Sequence, residues 1–309
     1  MALMVLKFGG TSVGSLEKIN HVAGIVQSVY DAGYKVVVVV SAMEGETDRL
    51  LSLARNLVNI PDSRESDVLL AAGEQVSIAL LSMVLIKNGY SARSYTGYQV
   101  KIQTDNNYTK ARITNIDCDN IMADLNKGII AVVAGFQGID ANNNITTLGR
   151  GGSDTTAVAL TAALKAEECR IYTDVKGVYT ADPKVVPNAK LLKQIAFKDM
   201  LELSSLGAIV LQTVAMEIAS QYRIPLRILS TFDKGMGTLI SYEDDPMDNK
   251  TISGITFTKD EVYFRKVVFT YYRSVLSLGI ILTALVSFEL ESKSSPTLEN
   301  DFDNYMLRF

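Results

Sequence analysis

Four short segments hold residues whose types and spacing could do chemistry. TTLGRGGSDTTA, Thr146 to Ala157, sets three glycines, an arginine and an aspartate between two apolar stretches. A helix capped by Ser153 or Asp154, opening behind the flexible backbone of Gly149, Gly151 and Gly152, would turn free N–H groups toward an anion. Arg150 adds a planar fork suited to a carboxylate or a phosphate, though the same residues would equally serve a tight turn with a solvated arginine. KFGGTSVGS, Lys7 to Ser15, joins the point charge of Lys7 to the paired Gly9 and Gly10, which allow close backbone approach to phosphate oxygens. It is not a Walker A loop, because Ser15 follows Gly14 where that motif needs lysine, and the HRD and DFG pieces of the protein kinases are missing too.

The remaining two segments are weaker alone. In IYTDVKGVYTADPK, Ile171 to Lys184, the hydroxyls, the Asp174 carboxylate and Tyr179 suit a nucleoside, but an ordinary β-hairpin would look the same. In AAGEQ, Glu74 is a lone acid in an apolar helical stretch and needs a cation, either structural or on a ligand. The single histidine, His21, sits beside the apolar stripe of the first helix and is expected at the surface. Neither a Ser-His-Asp set nor a His/Cys metal cluster can be assembled from this chain.

The elements that must position these residues follow from periodicity. MVLKFG, a helical pattern from Ser15 and then KVVVVVSA predict strand, helix and strand, with Leu16, Ile19, Val22, Val26 and Val29 at helical spacing. Five consecutive valines, Val36 to Val40, predict a strand covered on both faces, as in a parallel sheet. DVLLAAGEQVSIALLSMVLIKNG predicts a buried helix, GIIAVVAGFQG a strand, SDTTAVALTAALKA a helix, and CRIYTDV, IPLRILS and GTLIS further strands. The fold class is therefore α/β, a three-layer α/β/α sandwich around a mainly parallel sheet, expected to end near Ser241.

The totals exclude several classes. A chain of 309 residues that is 48% hydrophobic can bury a large core, and a net charge of -4 without a basic run argues against nucleic acid. Cys118 and Cys169 have no metal-ligand spacing and read as small apolar residues of a reducing compartment. MALMVLKFGG lacks a secretory leader, so the expected location is the cytoplasm. Ser274 to Phe288 is uncharged over fifteen residues, shorter than the ~20 of a spanning helix, which argues against a membrane anchor.

Taken together, KFGGTS, VVVSAMEGETDRL at Val38 to Leu50, AAGEQVS, VVAGFQG at Val132 to Gly138, TTLGRGGSDTTA and YTDVKGVYTADPK resemble the aspartate kinases of the amino-acid kinase fold family, over about residues 2 to 260. The resemblance implies ATP-dependent phosphorylation of the side-chain carboxylate of L-aspartate, the first step of aspartate-family amino acid biosynthesis. It implies catalytic roles for Lys7, at the transferring phosphoryl group, and for Asp154, which holds that lysine. Gly9 and Gly10 would donate backbone N–H groups. Arg150 would clamp the α-carboxylate and Glu74 the α-ammonium, with Ser41, Thr47, Gly151, Gly152 and Ser153 completing the amino-acid pocket. Thr173, Asp174, Tyr179 and Lys184 would meet the nucleotide, and Mg2+ would arrive on the phosphates of ATP without a protein ligand.

Three departures from the family pattern set further expectations. GAIVLQ, Gly207 to Gln212, has Ile209 where the family commonly has a lysine near the nucleotide, and Lys176 stands where TDVDG has aspartate. Losing one electrostatic stabiliser costs about 10² to 10³ in rate, which leaves a weakened kinase or a ligand-binding pseudoenzyme as the alternative. The catalytic domain is expected over 1–245. Over 246–309 a linker and an atypical tail stand in place of the usual ACT regulatory domains, whether through a reading-frame change or as a short variant. Feedback inhibition by lysine or threonine is then expected to be absent, and the homodimer weakened.

Overall fold

The computed structural model describes residues 1–205 and 211–242. Ile209, the boundary at 245 and the tail all lie outside the described residues. The chain opens with β1 (Leu3–Phe8), α1 (Leu16–Asp31) and β2 (Lys35–Val40), then α2 (Glu46–Leu57), α3 (Ser63–Lys87) and β3 (Ala92–Tyr95). A small insertion carries α4 (Gly97–Val100), β4 (Ile102–Thr104), β5 (Ile113–Ile116) and α5 (Asp119–Asn126), and is followed by β6 (Ile130–Ala134), β7 (Gln137–Ile139) and β8 (Ile145–Thr147). The described part ends with α6 (Gly152–Leu164), β9 (Glu168–Thr173), β10 (Gln194–Ala196), α7 (Phe197–Ser205), α8 (Thr213–Gln221), β11 (Leu226–Ser230) and β12 (Thr238–Ser241).

The main sheet has the order β10-β12-β11-β9-β1-β2-β6-β3, and every neighbouring pair is parallel except β11 with β12. Strand alternation divides its side chains between two cores. Met4, Leu6, Phe8, Val36, Val38 and Val40 pack with Ile19, Val22 and Val26 of α1 and with Ile78, Leu81 and Leu85 of α3. Leu3, Val5, Val37 and Val39 face the opposite layer, where Val158 and Leu160 of α6 and Met216 of α8 lie. This is the expected α/β/α sandwich. Each fully buried valine of β2 contributes about 1.5–3 kcal/mol, which is why the run has no room for polar alternation.

Local detail departs from expectation in three places. Ser15 caps α1 by accepting from the Lys18 amide, and the predicted stripe is buried except for Leu16, which stands exposed at the first helical position. The run GIIAVVAGFQG is two strands in different sheets, not one. Phe136 takes φ +68°, and its amide donates to Thr156 Oγ1, so the chain leaves the main sheet there and enters a four-stranded sheet ordered β5-β4-β7-β8. The segment after β9 is no hairpin: Tyr179 makes an isolated antiparallel bridge to Leu191, across a wide loop.

Among the described residues α3 alone is long and apolar enough to cross a membrane, yet half of its most apolar window is buried and its face packs in the core. It is a core helix. The thiols of Cys118 and Cys169 are free, and burial pushes that of Cys169 up to about 12, which leaves it inert.

Candidate active site

In a parallel sheet, ligand groups gather beyond the carboxyl ends of the strands. Lys7 is near the end of β1, Ser41 follows β2, and Thr173 closes β9. Because residues 3, 5 and 7 alternate to the same face, Lys7 is turned toward α6, and its Nζ lies 2.6 Å from Asp154 Oδ1 in the first turn of that helix. Both side chains are nearly buried, at 12% and 11% exposure, so the pair is shielded from solvent screening.

The start of α6 corrects the expected cap. The N-cap is Gly151, with no side-chain cap bond, and Ser153 and Asp154 are already helical. Gly149 and Gly151 sit at φ +76° and +71°, a region that glycine enters at no cost, and a Cβ on Gly151 would run into the Gln212 side chain. The left-handed elbow thus starts the helix early, which frees Asp154 from capping and lets it face Lys7. The positive end of the helix dipole lies beside the same cavity.

That cavity, of about 430 Å³, is lined by Lys7, Gly10, Ser41, Thr47, Glu74, Phe136 and the run Arg150 to Asp154, among others. Thr47 is in the first turn of α2, behind Gly45 at φ +77°. Arg150 is exposed and makes no ion pair among the described residues. Glu74, on α3, is 3% exposed. Its Oε1 accepts from the Ala42 amide at 2.9 Å, while Oε2 is buried without a partner. Burial pushes its carboxyl up to about 7, against the opposing pull of the Ala42 amide. Among the described residues no cation is paired with Glu74, so its Oε2 is open to a cation on a ligand.

The other candidates lie outside this cavity lining. Gly9 donates from its amide to the Tyr172 carbonyl at 3.4 Å, so its N–H is engaged by β9. Thr173 donates from its hydroxyl to Asp174 Oδ1 at 3.0 Å, and Lys184 is an exposed residue of the loop. Tyr179 is half-buried at its bridge. Lys176 lies 3.4 Å from Asp233, so that cation is already paired. His21 is exposed, as expected, and donates from Nε2 to the Thr231 carbonyl at 2.7 Å while its ring stacks on Phe232.

Two residues escaped the sequence reading. Gln212 lies against the elbow at Gly151 and carries no local signal of doing so. Asp67 is a fully buried acid on α3, but it closes the polar run SRESD at the start of that helix, so the signal that picks out Glu74, a lone carboxylate among apolar residues, is lacking there.

Residues 2–230 match the amino acid kinase family. An aspartokinase of Pseudomonas aeruginosa is 60% identical over 263 residues, covering 84% of this chain and 64% of the relative, so the chain spans just under two thirds of that protein's length. An aspartokinase of Geobacillus stearothermophilus is 50% identical over 287 residues, 93% of this chain and 70% of the relative, an alignment longer than the stretch that carries the motifs. Among solved structures, E. coli aspartokinase III in complex with aspartate and ADP superposes with a TM-score of 0.72 at 29% identity, covering 79% of this chain and 65% of that one. The chain belongs to the amino acid kinase family and, within it, to the aspartokinases.

Proposed function

We propose that this chain phosphorylates the side-chain carboxylate of L-aspartate with MgATP, giving 4-phospho-L-aspartate and ADP. The observation that carries the reading is the unpartnered, buried Oε2 of Glu74 in a cavity that also holds Arg150 and the Lys7–Asp154 pair. An α-amino acid brings an ammonium for Glu74 and an α-carboxylate for Arg150, which leaves its second carboxylate for the Lys7 end. A carboxylate with an ordinary pKa near ~3.9 is already ionised at neutral pH, which accounts for a site without a general base.

In this mechanism a side-chain oxygen of aspartate attacks the γ-phosphorus while the bond from that phosphorus to the β–γ bridging oxygen breaks, and ADP leaves with the electron pair. The work of the protein is alignment and charge neutralisation. Lys7 would stabilise the negative charge spread over the transferring group, and Asp154 would hold the ammonium in place. Ser41, Thr47, Gly151, Gly152 and Ser153 would complete the amino-acid side. Gly9, Gly10, Thr173, Asp174, Tyr179 and Lys184 would take the nucleotide, with magnesium arriving as part of that substrate. The catalytic domain would span 1–245.

The test is ADP release by the purified full-length chain with and without L-aspartate, beside a panel containing L-glutamate. Release that depends on L-aspartate is expected. Binding of both ligands without turnover would instead identify a pseudoenzyme, and preference for another acid would identify a different kinase of the same fold.

A further inference from the structure

Asp67 is a fully buried carboxylate that the mechanism above leaves unused. It lies on α3 about two turns before Glu74 and so on the same face of the helix. The Thr109 amide donates to both of its oxygens at 3.0 Å, the Thr147 amide to Oδ2 at 2.8 Å, and the Thr147 hydroxyl to Oδ1 at 2.7 Å. Hydrogen bonds to a charged acceptor are the strong class, and here they tie two separate segments to one helix.

Both segments lead to the elbow. Thr147 ends β8, and Leu148, Gly149 and Arg150 follow directly. The Ala111 amide donates to the Thr147 carbonyl at 2.9 Å, and the Thr109 carbonyl would stand 3.1 Å from a Cβ on Gly149. Thr109 is held at φ +68°, a conformation that a β-branched residue adopts only when its surroundings over-determine it. The same helix therefore carries the ammonium acceptor directly and the guanidinium elbow through Asp67. Building on the proposed function, we propose that Asp67 is a positioning residue: it sets the span between Glu74 and Arg150, and with it how well both groups grip the α-ammonium and α-carboxylate of one substrate at once.

The experiment uses the full-length chain with Asp67→Asn, Thr147→Val and Arg150→Ala, singly and with Asp67→Asn combined with Arg150→Ala. Asp67→Asn is expected to raise the KM for L-aspartate about tenfold while the KM for ATP stays unchanged, since a small misplacement of a binding group is costly. It is expected to add nothing further to Arg150→Ala, as for two changes acting through one contact. Thr147→Val, which removes one of the donors, shifts the same constant less. Equal rises in both KM values, or full additivity with Arg150→Ala, would overturn the proposal. If Asp67→Asn does not fold, the KM split of Thr147→Val decides in its place.

Should the unmodified chain show no aspartate-dependent ADP release, the kinase reading fails separately. Amide hydrogen exchange then decides the positioning role: acceleration by either variant confined to 108–111 and 146–152, the two segments that Asp67 ties to α3, supports it, and acceleration that also reaches 7–12, or none in 146–152, refutes it.

Discussion

Around the cavity, Glu74, Ser153 and Asp154 are buried, and Lys7 is close to it, held by an ion pair. On the segment after β9, by contrast, Asp174, Lys176 and Lys184 are exposed, and the loop is pinned mainly by backbone bonds near Tyr179 and Leu191. One side of the carboxyl-end edge is pre-organised before any ligand arrives, while the other offers polar groups on a loop. The difference matches the tasks assigned: a small zwitterion must be held at fixed distances, whereas a nucleotide can be gripped by many weak contacts.

The comparison can be broken by substitutions on its two sides. The largest expected effect is from Lys7→Ala, which should lower kcat by about 10³ with little change in calorimetric affinity for L-aspartate. Retention of kcat within about tenfold would remove Lys7 from the centre of the mechanism.

Glu74→Gln comes next, with a loss of about 10² in affinity for L-aspartate, as for truncating one member of a buried charge pair. The wild-type KM for L-aspartate should climb as pH falls below about 7, because the carboxyl raised to about 7 loses the charge that receives the ammonium. The sign for stability is opposite. A carboxyl bound more tightly by protons in the fold than in the unfolded chain contributes stability below its unfolded value of 4.5 and loses it as pH rises through about 7. Glu74→Gln should therefore raise the thermal midpoint at pH 8 by relieving a cost on the order of 3 kcal/mol, with little gain at pH 5. Equal shifts at both pH values would show that burial does not tune this group.

Gly151→Ala should cost on the order of 1–3 kcal/mol in unfolding free energy, since it forces a left-handed backbone on alanine and brings the new methyl against Gln212. The smallest effect sharpens the contrast. Asp174→Asn should raise the KM for ATP by no more than about fivefold, the worth of one exposed hydrogen bond, and leave the KM for L-aspartate alone. A large change in the aspartate constant would show that the two sides are not separable.

Much of this was legible in the chain itself. Val36 to Val40 announced a strand covered on both faces, Ser15 the start of α1, and Glu74 a buried acid in search of a cation. The Lys7–Asp154 pair was not readable locally, because it depends on how far along β1 the first turn of α6 docks; only the family resemblance supplied it. The break at Phe136 was hidden for a related reason. A left-handed phenylalanine has no local justification, and the bonds that sustain it come from Thr156 and Leu148. The strands of the second sheet are only three or four residues long, too short for alternation to register.

The place of β1 in the sheet bears on how the protein is made. Of the described strands it comes first along the chain, and it ends between β2 and β9, with Met4 opposite Glu168. Its second neighbour is thus translated about 160 residues later, a delay of roughly 10 to 30 s at ordinary elongation speeds. Throughout that interval the β9-facing edge of β1 lacks its native partner and stays open to pairing with another chain.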